Sequence, residues 1–113
     1  MDENKKIIVH KGERFTYPND EMPQPLVDTL KELQARLLEV DMQTSLFKAI
    51  SGSSAPEVYR LIREDYRKAY VACDETKRKV TAFVLQRYEA ATGIQMSWNY
   101  DYMNETLVVY SQT

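Results

Sequence analysis

Two apolar ladders constrain this chain more than any other feature. Leu26, Leu30, Leu33, Leu37, Val40, Thr44 and Phe47 recur in alternating steps of four and three, and so do Ile62, Tyr66, Ala69, Cys73, Thr76, Val80 and Phe83. That spacing holds one stripe of side chains on one side of an α-helix. Run antiparallel, the ladders match: Phe47 faces Ile62, Val40 faces Ala69, Leu37 faces Cys73, Leu30 faces Val80 and Leu26 faces Phe83. Paired positions sum to 109 or 110, which puts the reversal near residue 55, inside a Ser/Gly cluster. An antiparallel two-helix hairpin is the expected framework.

With 113 residues, the chain reads as one domain, 1–113, with a modest core. The segment Met1–Lys6 leads into only a three-residue apolar run, Ile7–Val9, unlike an export signal. No apolar run approaches the ~20 residues of a membrane span. One cysteine allows no intrachain disulfide, so a reducing, cytoplasmic setting is expected. Net charge is −2, and residues 51–89 carry eight bases against six acids. Acids interrupt every basic cluster, which argues against double-stranded nucleic acid as a partner.

Strands flank the helices. Residues 5–17 read as a β-hairpin, with Lys11-Gly12 at its turn and strand-forming residues on either side. Pro18-Asn19-Asp20 stops the second strand, and Pro23 and Pro25 prepare a helix over 25–50 that ends at Ser51-Gly52. Ser54–Glu57 reads as a capping box opening a second helix over 54–92, closed by a left-handed Gly93. Ile94, Met96, Trp98, Tyr100 and Tyr102 then alternate with polar residues, the mark of a half-buried strand. With Asn104-Glu105 as a two-residue turn, 94–111 becomes a second hairpin that pairs Tyr102 with Leu107, Tyr100 with Val109 and Trp98 with Ser111. The expected class is α+β, of order ββααββ: a helical stalk with a small antiparallel sheet of four strands at its open end.

Enzyme constellations are sparse. Gly12, Gly52 and Gly93 each fit a turn or cap, so no phosphate loop is formed. His10 lacks a catalytic partner in the pattern, and Cys73 falls inside the helical seam. Glu64-Asp65 and Asp74-Glu75 are neighbours that diverge by about 100° on a helix and share no site. No catalytic residue, metal site or cofactor is assigned.

One stretch carries a binding pattern. Tyr59, Arg63, Tyr66 and Tyr70 recur at helical spacing beside the seam, with Arg60 and Arg67 close by. Tyrosine and arginine concentrate at protein interfaces, and arginine also grips phosphate while tyrosine stacks on bases. The bland alternative is that the tyrosines widen the core while the arginines snorkel. Asn99, Asp101 and Tyr110, on the outward side of the terminal hairpin, form a second candidate surface. Exposed strand edges point to self-association into a homo-oligomer. The expected function is a non-enzymatic interaction module, an inhibitor or assembly factor of the sort phages and mobile elements carry, that binds a protein partner. The alternative is a protein that captures a phosphate-bearing ligand, such as a nucleotide, between subunits. Nucleic-acid binding is the weaker alternative, and a membrane partner is not expected.

Overall fold

The computed structural model describes residues 5–50, without the Ile50 side chain, and residues 56–112. Strands β1 (Ile7–Val9) and β2 (Arg14–Pro18) precede helices α1 (Gln24–Ile50) and α2 (Pro56–Arg87). Strands β3 (Tyr88–Ala90), β4 (Met96–Asp101) and β5 (Thr106–Ser111) follow. The class is α+β. Two compact units divide the chain: one combines the residues up to Asp28 with those from Lys79 on, and the other is Thr29–Arg78. The expected capping box at Ser54–Glu57 and the expected helix end at Ser51-Gly52 include positions outside the described residues.

Within Thr29–Arg78 the ladders behave as their spacing demands. Leu30, Leu33, Ala69, Cys73 and Thr76 are buried, while Leu37, Val40, Thr44, Phe47, Ile62 and Tyr66 are half-buried; none of them is exposed. The Phe47 ring lies 5.3 Å from that of Tyr59 and 6.0 Å from that of Tyr66. Those tyrosines bracket Ile62, the residue the ladders place opposite Phe47, by one helical turn on each side, so this rung of the expected pairing is present. Thr76 is the one buried polar residue of the ladders among the described residues, and its hydroxyl donates to the Ala72 carbonyl at 3.0 Å. That back-bond satisfies a group whose bare burial would be costly.

The strand-bearing unit departs from expectation in three ways. A tight turn does form at His10–Glu13, with Glu13 N–H donating to the His10 carbonyl at 3.0 Å and Gly12 at φ +80°. The strands it joins do not pair with each other, however, so the expected 5–17 hairpin is absent. β1 pairs in parallel with β3, and β2 pairs antiparallel with β5. Two sheets result, β1-β3 and β2-β5-β4, in place of one four-stranded sheet. Secondly, α2 stops at Arg87 rather than Thr92. The Tyr88 side chain is only 1% exposed, with its ring 6.0 Å from Phe15 and 6.3 Å from Tyr17. Arg87 lies over the Tyr17 ring at 4.1 Å, a cation–π contact. These contacts hold Tyr88–Ala90 extended alongside Ile7–Val9. Gly93 does adopt positive φ (79°), but in a turn closed by Ile94 N–H to the Ala91 carbonyl, not as a helix cap.

The third departure is the β4–β5 register. Tyr100 faces Leu107 and Trp98 faces Val109, a shift of two residues from the two-residue-turn expectation. A shift of two preserves the faces, so Trp98, Tyr100, Leu107 and Val109 still point one way. The cause is Asp101, whose carboxylate accepts from the backbone N–H groups of Met103 and Asn104 and from Asn104 Nδ2. Such a side-chain-closed turn lengthens the loop to Tyr102–Glu105. Elsewhere in this unit the Trp98 indole N–H donates to Thr81 Oγ1 at 2.9 Å, and the Tyr100 hydroxyl donates to Asn19 Oδ1 at 2.7 Å.

The loop makes a prediction. Glu105 sits at φ +48°, where a side chain is strained and glycine is not. Glu105→Gly is expected to stabilise the fold by about 0.5–1 kcal/mol in urea titrations. The hydrogen bond from the Asn104 side chain, followed by that from its backbone, holds the Asp101 carboxyl below its ordinary range. Its contribution is therefore present above the usual aspartate pKa and is lost as pH falls through the lowered folded value. Asp101→Ala is expected to lower the melting temperature at neutral pH and to flatten this acid limb.

Candidate functional site

The stretch Tyr59–Tyr70 occupies the first half of α2, where Tyr59 and Tyr66 turn toward Phe47 while Tyr70 borders the face that carries the arginines. At about 100° per residue, Tyr59 and Tyr66 turn toward the seam, where they embrace Phe47. Tyr66 also stacks on Tyr70 at 6.3 Å. Tyr59, Phe47, Tyr66 and Tyr70 thus form one aromatic run along the hairpin. For Tyr66, which is half-buried, the bland alternative describes the position: it extends the core, whereas Tyr59 packs on Phe47 and stays exposed. Tyr70 remains 57% exposed at the rim.

Arg60, Arg63 and Arg67 are exposed and line, with Glu64, a shallow cavity of about 340 Å³. Arg67 also borders a second cavity of about 320 Å³, lined by Lys68, Val71, Ala72 and Glu75. Together they make a trough along the outer side of α2. Arg78 pairs with Asp74 at 3.1 Å, and Arg36 lies within 4.0 Å of both Glu32 and Glu39. No ion pair engages Arg60, Arg63 or Arg67 among the described residues. Arg63 has Tyr59 and Arg67 one turn away on either side, and the Arg60–Glu64 pair runs in the weaker of the two charge orders along a helix; Glu57 and Glu64 stand three residues before Arg60 and Arg67, but neither closes an ion pair with them. Three guanidinium groups beside one carboxylate attract anions, and each can grip a carboxylate or phosphate through two N–H groups.

No family model, curated protein or solved structure matches the chain.

The remaining candidates take structural or surface positions. His10 is exposed, and its backbone N–H donates to the Glu13 carboxylate at 2.8 Å. Cys73 is buried at 4% exposure, away from the electropositive, open setting a reactive thiolate needs. Asp101 is consumed by the β4–β5 loop. Asn99 and Tyr110 lie with Arg14, Trp98 and Val108 around a shallow cavity of about 310 Å³. Among the described residues, no group of His, Cys, Asp or Glu could hold a metal, and no helix is long and apolar enough to cross a membrane.

The ladders drew attention away from one surface. Leu38, Met42 and Leu46 of α1 are 65%, 59% and 45% exposed, on the side of the helix away from the seam. Their even spacing of four was visible in the sequence, but the seam had already accounted for the helix. If the aromatic run closes the hairpin, Phe47→Ala should cost about 2 kcal/mol, less than a fully buried ring because Phe47 is only half-buried. Tyr70→Ala, at the rim, should cost under ~1 kcal/mol; urea titration of the two variants checks the order.

Proposed function

We propose that the chain is a non-enzymatic, self-associating module that binds a protein partner, as an inhibitor or an assembly factor, through the arginine face of α2. The observation that carries this reading is the placement of Arg60, Arg63 and Arg67 on one open face without an ion pair among the described residues. Exposed Tyr70 and Val71 continue that face. Unpaired arginines next to an exposed aromatic and an aliphatic side chain suit a protein surface that offers carboxylates around an apolar spot. Leaving arginines unpaired in the free chain also limits the cost of exchanging partners on binding.

A phosphate-bearing ligand is the second reading, favoured by the three-arginine cavity. Two features weigh against it. Glu64 shares the cavity wall, and Tyr59 and Tyr66 are engaged with Phe47 rather than free to stack on a base. Nucleic-acid binding lacks a continuous basic track, since Glu64, Asp65, Asp74 and Glu75 interrupt α2.

Charge reversal separates the readings. Arg63→Glu combined with Arg67→Glu should leave the melting temperature close to that of the parent, because both sites are exposed. Quantitative affinity capture from the source cells should give a stoichiometric protein whose retention falls at least about tenfold in the double variant, a loss of roughly 1.4 kcal/mol. Millimolar inorganic phosphate or ATP should not raise the parent's melting temperature. Equal retention by both proteins contradicts the proposed face. A phosphate- or ATP-induced rise of several degrees that the double variant lacks transfers the assignment to the ligand reading.

A further inference from the structure

Helix α1 has two apolar sides. The seam uses one; the other carries Ala35, Leu38, Met42, Leu46 and Ala49, all exposed and spaced by three, four, four and three. This outer stripe is a palindrome about Met42, reading small, leucine, methionine, leucine, small in either direction. A twofold axis demands such a pattern, because an isologous interface must be complementary to itself. We infer that α1 pairs antiparallel with α1 of a second copy of this chain across the stripe, Met42 meeting the second copy's Met42 and Leu38 meeting its Leu46. The inference rests on the self-association in the proposed function and assigns it a surface, in place of the strand edges that the sequence suggested.

Charge placement agrees with this pairing. No ionised residue lies between Ala35 and Ala49 on the stripe itself, and the nearest flanking acids, Glu39 and Asp41, come opposite Ser45 and Gln43 of the second copy, respectively. Like charges therefore do not oppose one another. The terminal alanines allow close approach of the two backbones, as the grooves of packed helices require. Leucine and methionine side chains carry roughly 100 Å² of apolar surface each, so the stripe offers on the order of 300 Å² per copy. A standard interface buries about 800 Å² per partner. The pair is accordingly reversible and dissociates on dilution. It leaves the outer side of α2 free in each copy, so the dimer presents two arginine faces and can engage a repeated partner with avidity.

Cysteine mapping tests the arrangement on the full chain. Cys73 is buried and stays out of the reaction, with the parent as control. Under mild oxidation Met42→Cys should form a covalent dimer. Leu38→Cys and Leu46→Cys should each remain uncrosslinked alone, yet their equimolar mixture should give a dimer whose mass shows one copy of each. Light scattering on the same samples should show the dimer at high concentration and the monomer after a hundredfold dilution. Self-crosslinking by Leu38→Cys indicates a parallel pair and overturns the inference. Absence of crosslinks from a chain that still scatters as a dimer also overturns it, while leaving self-association in place. A monomer at every concentration removes both. A Met42→Cys thiol that reacts freely with maleimide in purified protein, but is shielded in cell extract, assigns the stripe to a different protein.

Discussion

The seam between α1 and α2 is the constraint on which the other features depend. Two helices of 27 and 32 residues have little reason to persist alone in water; burying one face of each against the other supplies the stability. Burial is deepest at Leu30 and Leu33 of α1 and at Ala69, Cys73 and Thr76 of α2. Each fully buried leucine contributes roughly 1.5–3 kcal/mol. Burial weakens along the seam. Beyond Leu37 on α1, and before Ala69 on α2, the facing residues are half-buried, and an aromatic run through Phe47 takes over from aliphatic packing.

The seam was legible because helical periodicity is a local property, written every three or four residues. Strand partnership is not local. Val80, Val84 and Tyr88 are all buried and continue the spacing of four, so the sequence alone carries the helix past Arg87. What ends it is the meeting of Tyr88 with Phe15 and Tyr17, some seventy residues earlier. The same contact releases β1 from β2, since the short Ile7–Val9 strand finds its partner in the chain that Tyr88 holds extended. The terminal hairpin shows the intermediate case. Alternation fixed which side chains share a face, but three donors converging on Asp101 decided the loop length and therefore the register.

Residue choice in the candidate site was readable in part. The arginines are exposed and clustered, as their helical spacing implied, but Glu57 and Glu64 stand at pairing offsets from Arg60 and Arg67, so the open ion pairs were not legible in the sequence. The tyrosines were harder, because position beside a seam fits both a core ring and an interface ring. Only the location of Phe47 distinguishes Tyr59 and Tyr66, in contact with it, from Tyr70 at the rim. The outer stripe of α1 was present in plain spacing, but one apolar face is enough to explain a helix, and a second is noticed only when its side chains are found exposed.

Three surfaces of one hairpin thus have distinct chemistry: an apolar seam within the chain, an apolar palindrome on α1 and an unpaired arginine face on α2. The central physical claim is the graded seam, since it fixes which sides of the two helices face outward. Amide hydrogen exchange of the full chain, at a dilution where it is monomeric, measures that gradient directly. Amides of residues 30–33 and 69–76 are expected to exchange only with global unfolding, and those of residues 43–47 and 58–66 faster, through local opening. Uniform protection along both helices, or fastest exchange at 69–76, would contradict the account.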